Sequence, residues 1–293
     1  MKKIILISTA FIAVGMTYTG NNFANAQESK LSFGFNAGAG IPMGDYAKHD
    51  STASPIAEAT KRYNSANPPP KGYNVNDTTK LNGFAKTGFH FNVYGQYRIA
   101  GPIGIKLSIG GTMNSYDAAT FSSAYAKIWA ENPSNTGVPA PTWTSSKNYY
   151  IGEYLIGPCL RLPAGAKLKI EAQVLVGLVT GSYPSLNSGT LSVSGPGYSD
   201  SYTETYSTVS SVSAFGYNFS AGFEYKVAPL IGLHLNAGYT GSSFSYANYT
   251  VAQTTSQTVF GVTSTNSSTQ TYNVAKTMSM GILAITLGLS VDL

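Results

Sequence analysis

Three histidines, His49, His90 and His234, are the chain's whole supply of imidazole. Chemistry that leans on histidine, whether general acid and base work, nucleophile activation or metal ligation, therefore has few places to sit. A serine hydrolase needs one of them beside an activated hydroxyl and an orienting carboxylate. Ser108, Ser220 and Ser290 are the candidate hydroxyls, and none has both a histidine and an acid at a matching depth in the pattern described below. No Gly-x-Ser-x-Gly elbow, phosphate loop or paired-cysteine motif is present. The single Cys159 excludes an internal disulfide and reads as a buried thiol. No catalytic residue, cofactor or metal site is expected. The notable polar residues are eight charges at regular positions, Arg98, Lys106, Glu153, Arg161, Lys169, Glu171, Glu224 and Lys226.

Those charges share one property: each falls on the polar side of the alternation in its own segment. Successive side chains of a strand point to opposite faces, so alternation of period two marks a sheet with unlike surroundings on its two sides. Phe89, Phe91, Val93, Tyr97 and Ile99 alternate with His90, Asn92, Tyr94, Gln96 and Arg98. Ile103, Ile105, Leu107 and Ile109 alternate with Lys106, Ser108 and Gly110, and Leu168, Ile170, Ala172 and Val174 with Lys169, Glu171 and Gln173. The same rhythm runs through 31–39, 147–162, 213–227, 232–240 and 276–293. Eight such segments are enough to close a transmembrane barrel, with charges inward and apolar side chains outward.

The connections alternate too. Residues 100–102, 163–166 and 228–230 are tight Gly/Pro/Ala links, whereas 41–86, 114–146, 183–212 and 241–275 are long and polar. Short turns at one end and long loops at the other are the asymmetry of outer-membrane barrels, whose short turns face the periplasm. Aromatic residues fall near strand ends, as an interfacial girdle requires. Phe89, Tyr149, Tyr150, Tyr154, Phe215, Tyr217 and Tyr239 are expected at the outer interface, and Phe33, Tyr97, Phe223 and Tyr225 at the inner one. The N-terminus supports export. Lys2 and Lys3, an apolar run from Ile4 to Val14 and Ala24-Asn25-Ala26 have the layout of a signal peptide over 1–26, cleaved after Ala26, leaving a barrel domain at 27–293. That leaves 16 of the 18 basic residues against 13 acidic ones, too weak and scattered a balance for a nucleic-acid surface.

With its opening Leu31-Ser32-Phe33-Gly34-Phe35-Asn36-Ala37-Gly38 and its closing Leu287-Gly288-Leu289-Ser290-Val291-Asp292-Leu293, the chain resembles the small outer-membrane β-barrels of the OmpA transmembrane-domain and OmpX type, in particular their stand-alone members. The resemblance spans 30–293 and implies architecture alone. Leu293 departs from the aromatic last residue that many such barrels present to the assembly machinery. The peptidoglycan-binding domain of longer relatives is not expected.

The expectation is thus an all-β fold, an eight-stranded antiparallel up-and-down transmembrane β-barrel with long extracellular loops and short periplasmic turns. Its partners would be outer-membrane lipid and, during biogenesis, periplasmic chaperones and the barrel-assembly machinery. The eight lumenal charges are read as a plug, because an eight-stranded barrel has an interior that side chains fill. In the loops, 117–131 is read as a short helix presenting Phe121, Tyr125 and Trp129, with Trp143 beyond it; these either pack as a lid or contact an external partner. A second short helix is expected from Ser54 to Tyr63, and 190–209 and 250–271 are expected to carry the strands on as hairpins. Asp50-Ser51-Thr52 and Asp77-Thr78-Thr79 resemble O-glycosylation triplets. The leading functional reading is a non-enzymatic envelope or surface-interaction protein, against a narrow passive channel and, behind it, a lipid-modifying or proteolytic barrel.

Overall fold

The computed structural model describes residues 30–49, 81–131, 137–208, 211–247, 249–272 and 275–293. The signal peptide, the Ser54 to Tyr63 helix and both glycosylation triplets lie outside the described residues. The strands are β1 (Leu31–Gly44), β2 (Gly88–Ala100), β3 (Ile103–Asn114), β4 (Trp143–Ser145), β5 (Tyr149–Pro163), β6 (Leu168–Ser182), β7 (Leu186–Ser188), β8 (Leu191–Gly195), β9 (Tyr198–Thr208), β10 (Val212–Ala228), β11 (Ile231–Tyr246), β12 (Tyr249–Val259), β13 (Val262–Tyr272) and β14 (Lys276–Asp292). Among the described residues one α-helix, α1 (Ala118–Glu131), follows β3.

Eight of these strands close a barrel in the order β1-β2-β3-β5-β6-β10-β11-β14, each antiparallel to its neighbours. The seam pairs β1 with β14, from Ser32 opposite Asp292 to Gly44 opposite Met280. Gly101, with φ of +52°, lets the chain reverse between β2 and β3 without a Cβ penalty. The barrel strands run beyond several of the expected ends: β1 continues to Gly44 and β11 to Tyr246. They rise past the apolar zone before any loop begins.

Polarity is inverted relative to a water-soluble barrel. Phe33, Phe35, Val93, Leu107, Ile109, Leu235, Ile285 and Leu287 all point outward and are 44% to 68% exposed, while Gln96, Lys106, Glu224, His234 and Asp292 are buried inside. Apolar side chains outside and polar ones inside is the polarity of a transmembrane β-barrel, whose closed wall pairs its backbone groups strand to strand. Most of the expected girdle aromatics face outward, but Tyr149 does not. It is fully buried, and its hydroxyl donates to the Gly83 carbonyl at 2.6 Å. Its parity with Ile151 and Glu153 places it inside, so the girdle assignment from mere position near a strand end is corrected.

Above the barrel, β4, β7, β8, β9, β12 and β13 form a second, six-stranded sheet. It is continuous with the wall. The β12-β13 hairpin prolongs the β11-β14 ribbon, and β9 leads into β10. The hairpins expected in the third and fourth long loops are therefore β8-β9 and β12-β13.

Candidate functional site

The lumen near the short turns is organised around Arg161. Arg161 and Glu171 are directly opposed across the β5-β6 hairpin, and Nε lies 2.9 Å from Glu171 Oε1. The guanidinium also pairs with Glu224 of β10 and reaches across to Asp292 of β14, Nη1 to Oδ1 3.4 Å. Its Nη1 donates to Ser32 Oγ at 2.8 Å, and that hydroxyl donates to Asp292 Oδ1 at 2.6 Å. One side chain thus ties β5 to β6, β10, β14 and β1. Lys226 pairs with Asp292 as well, and Lys169 Nζ stands 4.0 Å from it. Lys106 lies 3.7 Å over the ring of Tyr94, a cation held on a π face in a desolvated space. Tyr94 fits because Gly34 leaves room for it: a Cβ there would fall 2.3 Å from the ring.

Six of the eight expected charges, Lys106, Arg161, Lys169, Glu171, Glu224 and Lys226, meet in or beside this cluster. Glu153 does not. It sits farther along the lumen, where Thr240 Oγ1 donates to its Oε2 at 3.1 Å and His90 Nδ1 lies 3.9 Å from its Oε1. Arg98 stands at the rim, half-buried on β2. Two members of the cluster were missed by sequence reasoning, Asp292 and His234 as an acid partner. Asp292 was recoverable, since it continues the inward parity of Thr286, Gly288 and Ser290. That His234 would touch Glu171 was not, because those residues are separated by β10 and their approach depends on barrel curvature.

The cluster contains arrangements that resemble reactive ones. Glu171 Oε2, His234 and Tyr94 Oη form a series, with His234 Nδ1 and Nε2 each 3.2 Å from its partner. Carboxylate, imidazole and hydroxyl in line is the order used to activate a nucleophile. Here the carboxylate is already engaged by Arg161, and the hydroxyl is a buried tyrosine packed over Gly34. Glu171, Glu224 and His234 also bring ligand atoms within 4.8 Å of one another. A divalent ion there would have to share both carboxylates with the guanidinium of Arg161, a fixed cation paired with each of them.

Toward the long loops the lumen mixes buried polar side chains, His90, Thr112, Glu153 and Thr240, with apolar ones, and leads into a cap. Ile151, Leu155, Val179 and Ile282 line the wall, and above them residues from all four long connections form one core. Tyr46 and Phe84 come from the first, Phe121, Tyr125, Trp129 and Trp143 from the second, Tyr183 and Tyr206 from the third, and Val251 from the fourth. Trp143 packs on Phe121, Tyr125 and Tyr206 at ring separations of 5.5, 5.2 and 5.2 Å. Trp129 donates its indole N–H to the Val138 carbonyl at 3.0 Å. Of the two roles open to Phe121, Tyr125, Trp129 and Trp143, exposed anchors or lid, their burial fits the lid: the most accessible of them, Trp129, is 8% exposed.

Helix α1 is set in the cap by Asp117. Its Oδ1 accepts the Thr120 N–H at 3.2 Å, its Oδ2 accepts the Thr120 hydroxyl at 2.8 Å, and Lys86 Nζ lies 3.1 Å away. Partial burial opposes the charge, but the Thr120 and Lys86 contacts outweigh it and hold the carboxyl below its ordinary value of 3.8. A lowered acid stabilises the fold above its unfolded value, and that contribution disappears as pH falls through the folded one. We expect Asp117→Ala to cost the cap about 1 kcal/mol at pH 6.5, with the difference from wild type shrinking below about pH 3.8. Both tryptophans of the chain, Trp129 and Trp143, sit in this cap, so their emission during urea titration at the two pH values reads it directly. An equal gap at both would show that the cap does not depend on the carboxylate charge.

No protein-family model matches the chain, and no curated protein does. Among solved structures, it is similar to Neisserial surface protein A at 10% identity, over 90% of this chain and 98% of that one, with a TM-score of 0.38. Ail, the attachment invasion locus protein of Yersinia pestis, matches at 10% identity, over 90% and 99%, with a TM-score of 0.34. A major outer membrane protein from Thermus thermophilus matches at 13%, over 89% and 98%, with a TM-score of 0.40.

Proposed function

We propose that this chain is an integral outer-membrane barrel whose lumen is closed, and that it serves the envelope through the sheet and cap it raises above the lipid. The observation that carries the reading is the inverted wall with its filled interior: an apolar belt outside, the Arg161 network across the lumen near the short turns and an aromatic core capping the other end. An interior filled with side chains is what eight strands allow. Lipid is then the partner of the belt, and chaperones and the assembly machinery are partners of biogenesis. The surface role belongs to the exposed sheet, since the cap aromatics are engaged in packing.

The test is conductance. Purified, heat-modifiable protein in a planar bilayer is expected to give no stepwise currents in monovalent salt, and fractionated cells are expected to hold it in the outer membrane. Reproducible unitary currents from the wild-type chain would replace the plug with the narrow passive channel, and recovery from the soluble periplasm would overturn the membrane placement itself.

A further inference from the structure

Among the described residues, the two most exposed large apolar side chains are not on the lipid-facing belt. They are Phe260, 87% exposed, and Val262, 74% exposed, at the tip of the β12-β13 hairpin. Val259 and Tyr198 stand beside them and are also exposed, and the strand registers set Tyr198, Val259 and Val262 in one row. β12 prolongs β11 by 11 residues, about 35 Å of strand. The tip therefore lies at the end of the molecule remote from the short turns.

The backbone holds Phe260 there against its preference. Phe260 and Gly261 make a two-residue loop with φ of +47° and +82°. Hairpin loops with both central residues at positive φ favour Asn, Asp and Gly, because a bulky side chain is strained in that region. Gly261 meets the demand and Phe260 does not. The ring is nevertheless seated: the Phe260 N–H donates to the Gly197 carbonyl at 2.8 Å, and Gly197, at φ of +74°, leaves room beneath it, since a Cβ there would fall 2.8 Å from the ring. Packing does not explain the choice, because the side chain remains in water and asparagine would suit the turn better. A strained position that displays an apolar group to solvent is a signature of contact.

Area and charge decide what covers the tip. Four side chains on a convex end fall far short of the roughly 20–30 residues a side that a stable protein interface uses. A bilayer makes no such demand, because its apolar interior closes around a projecting group and the gain follows the apolar area taken from water. From Tyr249 to Tyr272 the chain contains no Asp, Glu, Lys or Arg, so no charge of this hairpin has to leave water with the tip. We propose that the tip inserts into the bilayer of an apposed membrane. Phe260 and Val262 enter among the acyl chains with Val259 beside them, and Tyr198, whose hydroxyl donates to Asp200, stops at the headgroups. The inference rests on the outer-membrane placement of the barrel, from which β12 carries the tip away.

The full chain in nanodiscs, mixed with protein-free phosphatidylcholine vesicles, is expected to float with them in a density gradient, where empty nanodiscs do not. Phe260→Asn, which suits the positive φ, is expected to lower co-flotation about tenfold or more with the heat shift of the barrel unchanged. Thr271→Asn, at the foot of the same hairpin, is expected to float like wild type. The emission of Phe260→Trp is expected to be quenched by vesicles brominated on their acyl chains, over the constant background of Trp129 and Trp143 in the cap. No flotation of the wild-type protein, equal flotation of Phe260→Asn and Thr271→Asn, or no quenching in Phe260→Trp would each overturn the proposal. Because each is scored on protein whose heat shift is intact, such a failure leaves the barrel reading standing. Self-association of the wild type in vesicle-free nanodiscs, abolished by Phe260→Asn in sedimentation, would overturn it too and make the tip a contact between copies.

Discussion

Replacing Arg161 with methionine is expected to destabilise the barrel by about 3–5 kcal/mol, because removing one partner leaves the remaining buried charges uncompensated. Three carboxylates, Glu171, Glu224 and Asp292, face that guanidinium. Lys226 still pairs with Asp292 after the change, so the loss falls mainly on Glu171 and Glu224. Glu171→Gln is expected to cost less, about 1–3 kcal/mol, since Arg161 keeps two of its acids. The double variant should recover part of the combined loss. Urea unfolding in lipid for both singles and the double gives the coupling as a mutant cycle. Strict additivity would mean that Arg161 and Glu171 do not interact. Unchanged stability with altered ion currents in Glu171→Gln would make the cluster a filter rather than a plug.

The second large effect belongs to the cap. Phe121 is almost wholly buried and touches Phe84, Tyr116, Tyr125 and Trp143, so Phe121→Ala is expected to cost about 3–5 kcal/mol. The loss should be local. Tryptophan emission is expected to shift to longer wavelength at markedly lower urea than in wild type, while the strand signal in the far ultraviolet and the heat-dependent gel shift stay as they were. Choosing Phe121 keeps both indoles as reporters. If emission and strand signal instead fell together at a single lowered midpoint, cap and barrel would be one cooperative unit.

The barrel was legible because each strand carries its own label. Phe33 to Ala39 or Leu283 to Val291 can be assigned to two faces without knowing any neighbour, and the Gly101 and Gly165 turns mark where they reverse. The same parity placed six of the eight charges where they gather. It would have moved Tyr149 inside and added Asp292, had it been applied before the expectation of aromatic girdles. The cap was legible only in part: the helix over 117–131 and its lid residues were readable, with Trp143, but Tyr46, Phe84 and Tyr206 come from separate segments with no common period and meet only over the finished mouth. The contact of His234 with Glu171 was not legible, since it skips a strand and is set by how the closed wall curves.

The seam of the barrel bears on the order in which the molecule completes itself. Ser32 and Asp292 hydrogen-bond across 260 residues of chain, and contacts so distant in sequence exact the largest loop-closure entropy and form slowly. Asp292 lies on the last wall strand and Ser32 on the first. Arg161 stands across the lumen from Asp292, so this third acid reaches the guanidinium only when β14 has joined β1 and the wall is closed. An unfinished or unzipped barrel exposes that cation to water, and a finished one hides it. Neutralisation of Arg161 by all three acids is in this sense a signature of closure.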